Sequence, residues 1–352
     1  MPIPSQRKYD ADNLASIKKH AFQVKKAYLA AINEVSRLTF ALSLNPNDEF
    51  YFRNYSEVNN KVNDLIKKLY TDVYGTSVSG INTGWETAVE KNNALTNYVY
   101  GEVLDKLPAA YRENYLSNNG AARRAFISRK TDGLNLSDRV WKNSRQFKQE
   151  LELSLELGLG QGKSADSLSR SVRQYLNEPD KLFRKVRDKN GVLRLSKAGK
   201  AYSPGRGVYR SSYKNAQRLT RNEINNGYES SQKVKREQQD FIVGIRIAVS
   251  PQHRASDDKG GVCCLCLQGL YPKDFDFTYK HHVNCICTSF NVLKTREELD
   301  KDTDLILEGK EPNTPSKNSV DKIPKSFTNY FDDNKDKFKN WKTKPMVLTL
   351  NQ

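Results

Sequence analysis

The apolar positions of the first 145 or so residues recur in alternating steps of three and four. Leu14, Ile17, Ala21, Val24, Tyr28, Ala31, Val35 and Leu38 line one side of a helix of about seven turns, which Asn45-Pro46-Asn47 ends. Val58, Val62, Leu65, Leu69 and Val73 form the stripe of a second helix, with Ser56 as its N-cap and Gly75 as its stop. Trp85, Ala88, Val89, Leu95 and Tyr98 mark a third. Stripes of this kind serve the core of a helical bundle more often than they await a partner helix.

The texture changes near Ser137. Leu151, Leu153, Leu155, Leu157 and Leu159 alternate as a strand would, yet the Leu and Glu content favours helix, so periodicity leaves the element open. Gly158, Gly160 and Gly162 interrupt it. Ser164 then caps a short helix with Ala165, Leu168, Val172 and Tyr175, closed by Asn177-Glu178-Pro179. Between Val186 and Leu195, Asn190-Gly191 separates two apolar runs and predicts a hairpin. A long helix is expected from Ser211 or Ser212 to about Glu237, and Phe241, Val243, Ile245, Ile247 and Val249 alternate as a strand with one buried face. Beyond Leu293 the chain is charged and turn-rich. Glu311-Pro312 to Pro315 reads as a linker, and the tail with Trp341 and Met346 to Leu350 is a candidate to dock on the body or a neighbour.

These elements predict a predominantly helical α+β protein in three parts: a helical region over 1–136, a small α+β domain over 137–293, and a linker with an extended tail over 294–352. Mean hydropathy is −0.76 and no run of about 18 apolar residues occurs, so no membrane helix is expected. The first residues turn charged at once, unlike a signal peptide, which points to the cytoplasm of the producing cell.

Charge refines the picture by its location. The net charge is +17, and Gly120 to Arg236 holds 27 Lys and Arg against 11 Asp and Glu. The densest part contains Lys181, Arg184, Lys185, Arg187, Lys189, Arg194, Lys197, Lys200, Arg206 and Arg210, ten cations with Asp188 as the one acid among them. Such self-repulsion calls for an anionic partner, either double-stranded DNA bound without sequence preference or an acidic protein surface; a merely solubilising face is the alternative.

All five cysteines fall between Cys263 and Cys287. Cys263-x2-Cys266 and His282-x2-Cys285 have the spacing of a tetrahedral zinc site, in which each short spacer aims two ligands at one cation. The expected ligands are Cys263, Cys266, His282 and Cys285, with Cys264, His281 and Cys287 as alternates. A reduced thiol cluster or a redox switch would use the same residues, and a cytoplasmic location disfavours disulfides. No Glu accompanies the histidines as in the zinc deaminases, and soft ligands exceed four, so the expected zinc is structural. No phosphate-binding loop, nucleophile elbow or H-E-x-x-H motif is present. Glu150-Leu-Glu152 resembles the acidic pair of some ADP-ribosyl transferases, but in a Glu-rich run it has little specificity.

From Ser137 to Val292 the order of motifs resembles the phage Mu F-like family of minor head, or head morphogenesis, proteins. Gly162-Lys-Ser164 matches its helix start, Arg221-Asn222-Glu223 its Arg-Thr-Glu helix, and Cys263-x2-Cys266 its first cysteine pair. His282-Val283-Asn284-Cys285-Ile286-Cys287 matches its final His-Pro-x-Cys-x-Cys, with Val283 in place of Pro. The stretch around 181–210 is an insertion relative to shorter members. The resemblance implies a non-enzymatic virion protein, oligomeric in the head, at the portal or inner capsid face, active in assembly or DNA delivery. Its partners would be the portal or major capsid protein, with no membrane contact. Arg221 and Glu223 are expected to form an internal ion pair. A dedicated nucleic-acid-binding protein and a head-carried enzyme are the rival readings.

Overall fold

The structure is a computed structural model, which describes residues 5–40, 50–159, 165–177, 186–187, 193–194, 211–250, 264–279, 284–339, 347 and 351. The predominantly helical α+β class expected from the sequence is the class observed. Helix α1 spans Gln6–Phe40, α2 Ser56–Tyr100, α3 Ala109–Leu116, α4 Gly120–Ser128, α5 Leu136–Leu159 and α6 Ala165–Asn177. A two-stranded ribbon, β1 Val186–Arg187 and β2 Leu193–Arg194, precedes the long helix α7, Ser212–Gln238. Strands β3 Ile242–Ala248, β4 Gly269–Tyr271 and β5 Thr288–Leu293 follow, then α8 Arg296–Leu307, α9 Lys325–Asp333 and α10 Lys335–Lys339.

The second and third helices expected from the sequence are one helix, α2, of 45 residues. The apolar stripe fades between Val73 and Ile81 because its buried positions there are Ser77 and Gly80, too small or too polar to register as apolar. Ser77 is satisfied inside the core by the Val73 carbonyl and the Thr220 hydroxyl, each 2.8 Å away. Gly75 lies on the exposed side with open space where a Cβ would stand, so it does not stop the helix. The leucine-rich run is helical, as part of α5, which buries Leu136, Val140, Phe147, Leu151 and Leu155.

The chain forms two compact units, and neither is contiguous in sequence. A helical unit comprises Lys18–Ser79 and Ser128–Arg221. Its centre is aromatic: Tyr28 meets Phe147 edge-on at 4.8 Å and Tyr213 at 5.4 Å. Beside them the buried Glu150 carboxylate accepts from the Ser212 backbone N–H at 2.8 Å and its hydroxyl at 2.6 Å, supplying α7 with an anionic N-terminal cap from another helix.

The sheet-bearing unit comprises Met1–Ile17, Gly80–Ile127 and Asn222–Gln352. Its antiparallel sheet has the order β4-β3-β5. The expected alternation in β3 breaks at an irregularity between Ile242 and Gly244. Phe241 and Ile242 therefore enter one core with Leu95, Val99, Tyr100 and Tyr115, while Ile245 and Ile247 enter another with the cysteines. Val320 covers Gly244 so closely that a Cβ there would stand 2.8 Å from its methyl carbon. The free edge of β5 is capped by side chains: Lys91 donates to the Ser289 carbonyl (2.8 Å) and Asn318 to that of Leu293 (2.9 Å). Between them the Gln6 amide pairs with both backbone groups of Asn291.

Helix α8 is unanticipated, although Thr295-x-x-Glu298 is a capping box and both of its reciprocal bonds form. The tail docks within its own unit, where Phe327, Phe338 and Val347 are buried in the cysteine-containing core. Trp341 and Met346 lie outside the described residues.

Candidate metal centre

Cys285 and Cys287 lie on the extended segment that leads into β5. In extended backbone, side chains two apart share a face, so both sulfurs turn into the core while Ile286 between them is partly exposed. Cys264 approaches from the turn Cys264 to Leu267, closed by a bond from the Leu267 N–H to the Cys264 carbonyl at 3.3 Å. That turn buries its first and last residues and exposes Leu265 and Cys266.

Three buried cysteines, Cys264, Cys285 and Cys287, thus lie close enough to hold a metal ion, with all three sulfurs within 4.8 Å of one another. Cys264 and Cys285 are 3.6 Å apart. A tetrahedral site with metal–sulfur bonds of about 2.3 Å has sulfur–sulfur edges of about 3.8 Å, so little movement would seat a cation. Hydrogen bonds among the neighbouring thiols, followed by burial, push the Cys264 thiol up. Ile245, Ile247, Leu267, Tyr271, Phe275 and Phe277 surround the sulfurs, and the tail residues Phe327, Phe338 and Val347 complete the shell.

Helix α7 fastens this segment. The Asn222 side-chain oxygen accepts from the Asn284 N–H at 3.1 Å, and Asn225 donates to the Cys285 carbonyl at 3.4 Å. Asn284 itself has a φ of 59°, in the left-handed region that Asn tolerates better than most residues. These three asparagines were not anticipated as site residues. The available signal was Asn222 and Asn225 three apart on one helix, upstream of a cysteine segment.

Among the described residues, the cluster draws partly on the quartet preferred on spacing and partly on its alternates. Of the quartet's two described members Cys285 is in the cluster and Cys266 is not, and the alternates Cys264 and Cys287 join it. Cys266 is exposed and its sulfur is disulfide-bonded, so in this state it has no thiolate to offer. The turn decides the outcome by pointing position 264, and not 266, inward. Cys263, His281 and His282 lie outside the described residues.

The Arg221–Glu223 pair is also corrected. Positions two apart on a helix face different ways; Arg221 is exposed, Glu223 is buried, and no ion pair joins them. Of the ten candidate basic residues, Arg187 and Arg194 sit on the ribbon, where Arg187 pairs with Leu193 and Val186 with Arg194. Lys181, Arg184, Lys185, Lys189, Lys197, Lys200, Arg206 and Arg210 lie outside the described residues. The basic surplus is not all at the surface, since Lys235 and Arg236 are fully buried in the sheet-bearing unit.

Glu150 and Glu152 serve the fold of the helical unit. Glu150 caps α7, and Glu152 accepts from the Phe52 N–H at 2.8 Å. Among the described residues no helix is long and apolar enough to cross a membrane. Comparison with protein-family models, with curated proteins and with solved structures finds no match to this chain.

Proposed function

We propose that the protein is a non-enzymatic structural component of a bacteriophage head, in which the cysteine cluster holds a structural zinc ion. The observation that carries this reading is the enclosure of three sulfurs in an apolar core, at the junction of β5, the 264–267 turn and α7. A catalytic zinc keeps a coordination position open to water, whereas a buried set of thiolates closes around the ion. His281 or His282 would give the fourth ligand, making a three-cysteine, one-histidine site. Bound there, zinc would cross-link a loop-rich end of the sheet-bearing unit and contribute folding free energy directly.

The head assignment draws on the Mu F-like order of motifs, in which an Arg-x-Glu helix precedes the cysteines. Asn222 in that helix and Asn284 in the final motif are joined by a hydrogen bond, which gives the two motifs a physical reason to occur together. In this reading the protein is oligomeric in the virion head, contacts the portal or major capsid protein, and is made in the host cytoplasm. The basic segment 181–210 would face double-stranded DNA or an acidic portal surface, neutralising phosphates without reading sequence.

Mass spectrometry of purified virions from a phage that encodes the chain tests the assignment. The protein is expected in DNA-filled heads at a few copies per particle. Its presence in lysates together with absence from heads and assembly intermediates would overturn it.

A further inference from the structure

A cleft in the helical unit, remote in chemistry from the cysteines, has the makings of a ligand site. It is formed by a one-turn 3-10 helix, Phe52–Asn54, the first turns of α2 and the middle of α5. Its volume is about 380 Å³, within the range of small-molecule sites, and Tyr51, Arg53, Asn59, Lys148, Gln149 and Glu152 line it. The floor is fixed: Phe52 is fully buried, its N–H is held by Glu152, and its ring lies 6.0 Å from the Lys148 ammonium.

Among the described residues neither cation of the cleft is hydrogen-bonded to a carboxylate. Lys148 donates to the side-chain oxygens of Asn59 and Asn63 at 2.8 and 2.7 Å, both neutral acceptors. Arg53 lies over the Tyr51 ring at 4.7 Å. Among the described residues neither forms an ion pair. Burial pulls the Lys148 ammonium down, offset in part by the charge of Glu152 one turn along α5. Because Asn59 gives its oxygen to Lys148, its NH2 group remains to donate elsewhere. A guanidinium, an ammonium and amide donors around one hollow match the several oxygens of a phosphate better than the two of a carboxylate. Glu152 would repel a bare anion, but the oxygen it does not use on Phe52 can accept from a hydroxyl. Tyr51 adds an aromatic wall.

We propose that this cleft binds a nucleoside phosphate, with the phosphate on Arg53, Lys148 and Asn59, a sugar hydroxyl on Glu152, and the base against the Tyr51 side. The hollow is of single-nucleotide size, so the ligand is a free nucleotide and not the convex surface of a duplex. The site is independent of the zinc cluster and of the head assignment.

Isothermal titration of the full chain with ADP tests it, with inorganic phosphate as competitor. ADP is expected to bind and excess phosphate to weaken that binding. Arg53→Ala, at an exposed position that leaves the core intact, is expected to reduce affinity about tenfold or more. Lys148→Met is expected to do the same, while Lys197→Gln with Lys200→Gln in the basic segment leaves it unchanged. Absence of ADP binding to the unmodified protein would overturn the proposal. So would unaltered binding by Arg53→Ala and Lys148→Met, or a loss seen only with the Lys197 and Lys200 changes.

Discussion

Lys235 sits at the C-terminal end of α3, where it donates to the carbonyls of Tyr115 and Ser117, the latter at 3.1 Å. A cation there satisfies acceptors that a helix end leaves over, but burial pulls its ammonium down to about 8. The ordinary lysine value is about 10.4, so between the two pH values the unfolded chain holds the proton that the folded chain has released. Stability linked to Lys235 therefore rises with pH in that window, and below it the cost of burying the charge is present in full. Relative to Lys235→Met, the unmodified protein should gain up to about 2 kcal/mol between about pH 8 and about pH 9.5 in urea unfolding; a difference independent of pH would contradict this. Single residues also explain why Cys264, and not Cys266, joins the cluster. Spacing correctly confined the candidates to 263–287, but which cysteine of a Cys-Cys-x-Cys run faces inward depends on the turn at 264–267 and on the core it closes over. Neither is a local property of the sequence.

At the scale of elements, α6, α7, the hairpin and β3 were legible because each has a stretch of consistent periodicity or a strong boundary signal, whereas the alternating leucines of α5 left helix and strand open. Continuity of α2 was hidden because Ser77 and Gly80 occupy its buried stripe where apolar residues were sought, and Gly75 imitates a helix stop. An exposed glycine inside a helix costs about 0.5–1 kcal/mol relative to alanine. Gly75→Ala should accordingly stabilise the protein by about that amount, read as a higher melting temperature. A fall in melting temperature would indicate that the helix ends at this glycine. The irregularity in β3 was invisible for a different reason: Phe241, Val243, Ile245, Ile247 and Val249 alternate in sequence, but the backbone changes phase between Ile242 and Gly244 to serve two cores. Only the contacts on each side of the strand require that change.

For the whole molecule, the sequence suggested contiguous parts, whereas each compact unit draws on separated segments, with α1, α2 and α7 contributing to both. Long-range pairing of this kind leaves no local signature, and it explains why residues as distant as Asp10, Lys91 and Tyr228 share one buried polar cluster, with Asp10 accepting from both of the others. The same pairing brings the C-terminal tail over the cysteines and makes the cluster a stabilising element of the sheet-bearing unit as a whole. The central claim is that Cys264, Cys285 and Cys287 hold a structural zinc ion, and metal analysis paired with thermal unfolding tests it most directly. The account predicts about one zinc per chain, a lower melting temperature on chelation, and loss of the metal in Cys264→Ser, Cys285→Ser or Cys287→Ser but not in Cys266→Ser. A metal-free protein whose melting is unchanged by chelator, or zinc that depends on Cys266 and not on Cys264, would contradict it.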